Sequence, residues 1–327
     1  MTTPEPLLAV RELSVVFDTR DTALLALDHV SFDIRAGEIL GVVGESGAGK
    51  SLTGTAIIGL LDAPGRISGG EILLDGQRID NLPPDAMRAL RGRRIGAIFQ
   101  DPLTSLHPML TIGDQLIETI RVHLPLDQAA ARRRALDLLH QVGIPGAETR
   151  IDHYPHQFSG GMRQRVVIAL ALAGEPKLII ADEPTTALDV SIQAQITTLL
   201  KGLCRDHGAS VMLVTHDMGV IAETADRVAV MYAGRIIEMG PVQAVTRAPR
   251  HPYTRGLMAS IPSMQARSST LHQIEGSMPR LNAIPTGCAF NPRCELASAR
   301  CRTEKPMLET GAHAVACWHP VGGSNHG

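Results

Sequence analysis

The sequence lacks the features that would place its function within a membrane, on nucleic acid or outside the cell. No apolar run approaches the roughly 18 residues needed to cross a bilayer. Lysine and arginine total 31 against 33 aspartates and glutamates, so no overall basic field favours nucleic acid as the main ligand. The start, MTTPEPLLAVRELS, lacks the basic stretch and apolar core of a secretory signal, which predicts that the chain is not exported. Any role at a membrane would therefore depend on partner proteins.

Cysteine is nearly absent from most of the chain, where only Cys204 occurs. The other four, Cys288, Cys294, Cys301 and Cys317, lie within the last forty residues. Because chains that are not exported rarely keep disulfides, this cluster indicates a metal site before it indicates cross-links.

The pattern of residues 7 to about 247 predicts an α/β fold, in a chain of 327 residues that can form one large core or two domains. The apolar runs typical of buried parallel strands are Gly37–Gly44, Arg94–Gln100, Lys177–Asp182 and Ser210–His216. The helical patterns that follow three of them are Lys50–Leu61, Ser191–Arg205 and Asp217–Thr224. Strand, loop and helix in this order are typical of α/β proteins.

Two regions depart from this alternation. Residues 111–173 show helical patterns without strand signals, which predicts an all-helical insertion at about residues 101–173. Beyond Arg247 the apolar periodicity weakens, and eight of the 21 prolines occur there. We therefore expect a main domain of residues 1–247 and a compact C-terminal appendage of residues 248–327.

The segment Gly44–Ser51, GESGAGKS, matches the phosphate-binding pattern GxxxxGK[ST] between a predicted strand and a predicted helix. Glycines let the backbone approach phosphate oxygens closely, and the helix directs its positive end at them. Lys50 is expected to reach the β- and γ-phosphates, and the Ser51 hydroxyl to bind Mg²⁺. A glycine-rich turn that matches by accident is the alternative, and the strand–helix context opposes it.

The segment LIIADEP supplies a second part of the predicted site. Asp182 falls at the carboxyl end of a strand, where ligands of open α/β sheets bind, and its carboxylate can hold Mg²⁺. Glu183 is the candidate general base for a water that attacks the γ-phosphate. A solvated acidic pair would be the simpler interpretation if the phosphate loop were absent.

Three further features narrow the class of nucleotide hydrolase. The segment Phe158–Arg165, FSGGMRQR, starts a predicted helix whose first amides could bind a second phosphate. Gln100 ends one strand and His216 ends another. With these motifs in order, residues 7 to about 240 closely resemble the nucleotide-binding subunits of ATP-binding-cassette (ABC) transporters.

The resemblance implies a P-loop NTPase cassette: a RecA-like α/β core with an antiparallel β subdomain and the helical insertion, using ATP and Mg²⁺. The implied catalytic residues are Lys50, Gln100, Glu183 and His216. The implied ATP-binding residues are Phe17, Gly44, Glu45, Ser46, Gly47, Ala48, Gly49, Lys50, Ser51, Leu52, Gln100, Asp182, and Ser159, Gly160 and Gly161 of the signature. Phe17 would stack on adenine, and the alternative for this single phenylalanine in a strand is a place in the core. The implied Mg²⁺ ligands are Ser51, Gln100 and Asp182, and Asp189 falls in the D-loop.

The signature departs from the commonest form, LSGGQ, at two positions. Phe158 replaces leucine and Met162 replaces glutamine, whereas Ser159 and both glycines remain.

In the ABC family two cassettes pair head to tail, and each ATP lies between the Walker A loop of one and the signature of the other. Hydrolysis of this ATP moves a membrane subunit. The resemblance therefore implies three kinds of protein partner: a second cassette, for which a paralogue is favoured, two permease subunits, and an extracytoplasmic substrate-binding protein. It implies no nucleic acid partner. It also implies that the chain lies peripherally on the cytoplasmic face of the inner membrane.

Three segments resemble the ATPase subunits of bacterial dipeptide, oligopeptide and nickel importers: Gln100–Leu116, Arg250–Pro262 and the cysteine-rich ending. In that family the first of these contacts the permeases. The resemblance implies ATP-driven uptake of di- or oligopeptides, with nickel or another small solute as the alternative. A soluble ABC ATPase acting on DNA or ribosomes is disfavoured, because the chain has one cassette and no sustained heptads between Lys50 and Ser159. An iron–sulfur redox protein with a vestigial cassette is opposed by the intact Glu183 and His216.

The four clustered cysteines are spaced C-x5-C-x6-C-x15-C. Four thiolates suit an iron–sulfur cluster or zinc, and the lack of paired CxxC segments favours the cluster. Some peptide-importer ATPases are thought to carry a [4Fe-4S] cluster at matching cysteines, so the resemblance implies one here, in a small cysteine-rich domain. Zinc and unligated thiols are the alternatives, and His313 and His319 could substitute as ligands.

Overall fold

The computed structural model describes residues 5–20, 22–186, 189–260 and 274–322. These residues belong to two compact units: the first contains the described parts of residues 1–34, 39–80 and 213–327, and the second contains the described parts of residues 35–38 and 81–212. The strands are β1 (Leu8–Asp18), β2 (Ala23–Ile34), β3 (Ile39–Val43), β4 (Gly65–Leu74), β5 (Gln77–Arg78), β6 (Ile95–Ile98), β7 (Leu178–Asp182), β8 (Ser210–Thr215), β9 (Arg227–Tyr232), β10 (Arg235–Pro241) and β11 (Ala314–Val315). The α-helices are α1 (Lys50–Ile57), α2 (Pro84–Leu90), α3 (Pro102–Ser105), α4 (Ile112–His123), α5 (Gln128–Gln141), α6 (Ala147–Arg150), α7 (Gly160–Leu172), α8 (Val190–His207), α9 (Met218–Thr224), α10 (Val242–Arg247), α11 (Pro252–Ala259) and α12 (Ala299–Thr303).

The first unit contains a four-stranded antiparallel sheet in the order β2-β1-β4-β5. Register shifts interrupt the pairing of β1 with both of its neighbours, which indicates β-bulges. The sequence predicts that Phe17 lies in a strand, but it gives no bounds for any of these four strands. In β4, GRISGGEILL, exposed and half-buried residues alternate over most of the length, so the long apolar run that marks a buried strand is missing.

A second set of strands in the first unit leads to the phosphate loop. Every residue of β3 is buried, and β3 pairs in parallel with β9. Strand β9 pairs with β10, and β10 pairs with β11, in both cases antiparallel. Because β11 is formed by Ala314 and Val315, this C-terminal segment is hydrogen-bonded to the set of strands that leads to the phosphate loop.

The second unit joins a parallel strand pair to a helical region. Strand β6 pairs in parallel with β7, from Ile95 opposite Leu178 to Ile98 opposite Ala181. Between residues 111 and 173 the structure contains helices and no strand, as the sequence predicts. Side chains of Thr111, Asp127 and Ser159 cap α4, α5 and α7 by accepting backbone N–H bonds.

The four buried strands and three helices predicted from the sequence are present as β3, β6, β7 and β8 and as α1, α8 and α9. Helix α1 ends at Ile57 instead of Leu61, and Gly59 follows it with a φ of 63° that is left-handed. Of the predicted segment Arg250–Pro262, Ile261 and Pro262 lie outside the described residues. The boundary near residue 248 and the separate cysteine-rich domain stay predictions. In the part of the chain that the structure describes, no helix combines the length and apolar character needed to span a bilayer.

Candidate nucleotide site

The phosphate loop joins β3 to α1 in the first unit, and its shape requires glycine at two positions. A Cβ on Gly44 would lie 2.3 Å from the carbonyl oxygen of Met231. Gly49 has a left-handed φ of 103°, and a Cβ there would lie 2.7 Å from Leu27. Gly49 precedes α1 without a side-chain cap, so the first amides of the helix face no capping side chain and suit an anion.

Lys50 lies at the first position of α1, with its side chain directed back into the loop. Its ammonium donates to the carbonyl oxygens of Gly44, at 2.9 Å, and Glu45, at 3.1 Å. Lys50 is buried, whereas Ser46 and Ser51 are exposed. The loop therefore combines a buried ammonium group, that of Lys50, with exposed serine side chains. This arrangement fits the phosphates of ATP.

Phe17 and His216 also belong to the first unit. The ring of Phe17 is half-buried on β1 and covers Gly65 of β4, where a Cβ would lie 2.9 Å from the ring. His216 is exposed directly after β8. The backbone after it is fixed, because Asp217 accepts from the N–H of Gly219 at 2.7 Å at the start of α9.

In the second unit, Glu183 follows β7 and takes a left-handed φ of 47°, which is unusual for a residue with a side chain. Its carboxylate accepts hydrogen bonds from Nε2 of Gln100, at 3.3 Å, and from the hydroxyl of Thr186, at 2.7 Å. Asp182 is half-buried at the end of β7. Sequence reasoning missed Thr186, whose only signal is its place three residues after Glu183.

The signature segment of the second unit surrounds the start of α7. Ser159 caps the helix by accepting from the N–H of Met162 at 3.3 Å. A Cβ on Gly160 would meet no atom within 4 Å, whereas a Cβ on Gly161 would lie 3.0 Å from Ile192. Gly161 thus packs closely on Ile192, whereas a Cβ on Gly160 would meet none of the described residues.

The two departures from the commonest signature have different surroundings. Phe158 is buried and packs edge-on against His153, so it fills an apolar site. Met162 is half-buried on the first turn of α7. Arg163 stabilises the turn before the helix by donating to the carbonyl oxygens of Pro155 and Phe158, both at 3.0 Å.

The predicted nucleotide residues therefore fall into two groups. The loop Gly44–Ser51, Phe17 and His216 belong to the first unit, and the other motifs belong to the second. A joint Mg²⁺ site of Ser51, Gln100 and Asp182 stays a prediction.

The four clustered cysteines line one small cavity of the first unit, with a volume of about 10 Å³. Burial raises the pKa of the thiols of Cys288 and Cys294, and raises that of Cys317 to about 11, while neighbouring cysteines add to each shift. Within the described residues, no three side chains of histidine, cysteine, aspartate or glutamate are arranged to hold a single metal ion. The cavity therefore gathers the four thiols without forming a site for one ion.

His251 lines the same cavity and was not singled out from the sequence. It is 1% exposed, and burial lowers its pKa to about 3, so the ring is neutral near pH 7. Its Nδ1 accepts from the N–H of Tyr253 at 3.0 Å, so the proton lies on Nε2. Among the residues that the structure describes, that buried Nε2 has no hydrogen-bond partner. A donor without an acceptor therefore lines the cysteine cavity.

Two stretches of the chain match known protein families. Residues 27–186 match the family model described as ABC transporter, and residues 237–301 match the oligopeptide/dipeptide transporter C-terminal region. The chain is 47% identical to the dipeptide transport ATP-binding protein DppD of Haemophilus influenzae, over 96% of each chain. It is 46% identical to the oligopeptide transport ATP-binding protein OppD of Escherichia coli, over 97% of this chain and 94% of OppD.

Solved structures give the same assignment for the cassette. The dimeric ABC transporter cassette MJ0796 is 30% identical with a TM-score of 0.65, over 72% of this chain and 98% of that one. The protein cbiO1 of Clostridium perfringens, part of the transporter complex cbiONQ, is 31% identical with a TM-score of 0.65, over 74% and 91%. The predicted P-loop cassette fold, with its mixed α/β sheets, is confirmed.

Proposed function

The chain belongs to the family of ABC transporter ATP-binding proteins with an oligopeptide/dipeptide transporter C-terminal region, and we propose that it hydrolyses ATP to drive uptake of di- or oligopeptides. The observation that carries this proposal is the identity to DppD, which extends over 96% of both chains and thus beyond the cassette. The separate match of residues 237–301 supports peptides over nickel or another solute.

We propose different roles at the ATP site for the residues of the two units. The loop Gly44–Ser51 would hold the phosphates, with the Lys50 ammonium exchanging its loop carbonyls for phosphate oxygens. Glu183, oriented by Thr186 and Gln100, would take a proton from the water whose oxygen attacks the γ-phosphorus, releasing ADP as leaving group. His216 would contact the γ-phosphate, and Phe17 would stack on adenine.

Magnesium and the second cassette complete this site. Ser51, Gln100 and Asp182 would hold Mg²⁺, which supplies neutralising charge to the phosphates when bound. The open space at Gly160 supports a place for the signature against the ATP of a second cassette, favoured to be a paralogue. Ser159, Gly160 and Gly161 would then bind the phosphates held by the partner.

Two permease subunits and an extracytoplasmic binding protein are the other proposed partners, which would place this chain on the cytoplasmic face of the inner membrane. Two apolar side chains within ten residues of Gln100 in the sequence are exposed, at 44% for Phe99 and 76% for Met109. Phe99, Thr104 and Ser105 line a cavity of about 360 Å³ in the second unit. This combination suits an apolar segment of a permease.

The whole proposal is tested by coexpressing the chain with its neighbouring permeases and second cassette, and measuring ATP turnover in nanodiscs with the binding protein. We expect copurification, and turnover that rises when dipeptides or oligopeptides load the binding protein. Stimulation by nickel alone would reassign the substrate, and a chain that never associates with permeases would overturn the importer role.

Met109→Asp is expected to weaken the association with the permeases and to lower peptide-stimulated turnover by about tenfold, because it buries an unpaired charge at the contact. Copurification and turnover in nanodiscs measure both effects. Val122→Asp is the matched control, because Val122 is also highly exposed, at 71%, but lies at the far end of α4. Equal behaviour of the two variants would contradict docking at Met109.

For the four cysteines we propose a [4Fe-4S] cluster in place of a single zinc ion. All four cysteines line one cavity of the first unit, which supports a group that they share. The unpartnered Nε2–H of His251 fits a sulfur acceptor, so the side chains present suit the cluster. The ring of His313 contacts Glu238 at 2.7 Å. His319 lines the cysteine cavity, its ring contacts Ser298 at 2.8 Å, and it stays the alternative ligand.

Replacing Cys294 and Cys301 by serine is expected to abolish bound iron and the broad visible absorbance of anaerobically purified protein, because serine removes two of four thiolate ligands. Elemental analysis and visible spectroscopy measure both. Cys204→Ser is the control, because Cys204 lies on α8 and is not among the residues of the cavity. Stoichiometric zinc in the wild type, or an unchanged spectrum in the double variant, would contradict the cluster.

A further inference from the structure

Two side chains from the C-terminal part of the first unit hold Glu45, the second residue of the phosphate loop. The hydroxyl of Tyr253 accepts from the backbone N–H of Glu45 at 2.9 Å. Nη1 of Arg293 donates to both carboxylate oxygens of Glu45, each at 3.1 Å. The loop is thus held through its backbone and through its only acidic side chain.

Arg293 is itself fixed on several sides. Its Nε donates to the carbonyl oxygen of Glu275 at 2.7 Å, and its Nη2 donates to those of Ile274 and Gly276. The guanidinium lies 5.9 Å from the centres of the rings of Tyr232 and Phe290. The side chain of Arg293 is only 8% exposed, and that of Glu45 is 29% exposed. A guanidinium held in this way gives the carboxylate of Glu45 one preferred position.

The charge of Glu45 makes this contact relevant to nucleotide binding. An unpaired carboxylate in a loop that binds several negative phosphate charges would repel them, most strongly where solvent screening is reduced. Arg293 neutralises that carboxylate. Its removal would leave a partly buried charge next to the phosphates and release the loop from the segment 274–276.

We propose that Arg293 is a positioning residue that neutralises and anchors Glu45, so that the C-terminal segment sets the affinity of the phosphate loop for ATP. The inference rests on the proposed ATPase function and concerns what sets the ATP affinity of that same site. Arg293 lies between Cys288 and Cys294, and it packs on Phe290, which lines the cysteine cavity. The cysteine cavity and the phosphate loop are therefore connected through one side chain.

The test is equilibrium binding of Mg²⁺–adenylyl imidodiphosphate, a non-hydrolysable ATP analogue, to the purified full-length chain. Arg293→Ala is expected to weaken binding on the order of tenfold. Arg293→Lys keeps the charge and is expected to stay within about threefold of wild type. Glu45→Gln alone is expected to bind the analogue a few-fold more tightly, since it removes a negative charge from the loop while Arg293 keeps its positive charge.

The decisive variant combines Arg293→Ala with Glu45→Gln, which removes both charges and is expected to return the affinity to within about threefold of wild type. Arg300→Ala is the matched control, because Arg300 lies in the same segment and contacts Glu304 and Trp318. It should bind the analogue like the wild type. In the assembled transporter, Arg293→Ala should raise the KM for ATP and leave kcat nearly unchanged.

Unchanged affinity of the Arg293→Ala chain would overturn the inference. A loss of affinity that Glu45→Gln does not relieve would also overturn it, because the loss would then come from disruption of the C-terminal segment. If the wild-type chain failed to bind the analogue at all, the proposed ATPase function would fail instead, so the two failures are distinct.

Discussion

Replacing Glu183 by glutamine is expected to leave ATP affinity intact and to slow turnover of the assembled transporter on the order of 10² to 10⁴-fold. The amide oxygen of glutamine can still accept the hydrogen bonds from Thr186 and Gln100, so the local arrangement survives. What the variant loses is the group that takes the proton of the attacking water. Steady-state turnover and ATP-analogue binding, measured on the same preparation, separate the two effects.

A matched variant at Thr186 distinguishes the proton acceptor from its orientation. Thr186→Val removes the 2.7 Å hydrogen bond but keeps the carboxylate, so we expect a smaller loss of turnover, about tenfold. Normal turnover with glutamine at position 183 would remove Glu183 from the role of base. If Thr186→Val slowed turnover as much as Glu183→Gln, the orientation of the Glu183 carboxylate would matter more than its ability to take a proton.

Gly160→Asp is expected to lower ATP turnover of the assembled transporter by at least roughly 10²-fold. The isolated chain is expected to stay folded. A side chain at Gly160 meets no atom within 4 Å, and aspartate in the first turn of a helix is favourable to the helix dipole. In the proposed dimer the new carboxylate would face the phosphates held by the second cassette. Thermal unfolding, analogue binding by the isolated chain and turnover of the complex measure these effects.

Gly161→Ala is the contrasting variant. Its Cβ would lie 3.0 Å from Ile192, so its effect on thermal stability arises from packing within the chain itself. Wild-type turnover of the Gly160→Asp complex would contradict a signature that faces a partner's nucleotide. Loss of analogue binding by the isolated Gly160→Asp chain would place Gly160 at the chain's own site and contradict it equally.

The features that sequence reasoning located are those encoded over a few consecutive residues. The loop Gly44–Ser51 was predicted from its spacing between a buried strand and a helix, both of which the structure contains. The strands β6, β7 and β8 were recognisable because both of their faces are buried, which leaves continuous apolar runs.

The features that sequence reasoning missed depend on contacts between distant segments. Arg293 lies 248 positions from Glu45, and Tyr253 lies 208 positions away, so no local pattern links them to the phosphate loop. His251 could be read as a surface turn before a helix, yet it is buried at the cysteine cavity. The antiparallel strand β4 was missed because its exposed face breaks the apolar run.

The central claim is that ATP is held between the phosphate loop of one cassette and the signature of its neighbour, and that its hydrolysis drives peptide uptake. Electron cryomicroscopy of the complete transporter, with glutamine at position 183 and Mg²⁺–ATP bound, tests it most directly. We expect the Ser159 hydroxyl and the Gly160 N–H about 3 Å from the γ-phosphate bound to the opposite phosphate loop. A closed, ATP-loaded complex in which both groups face solvent would contradict the account.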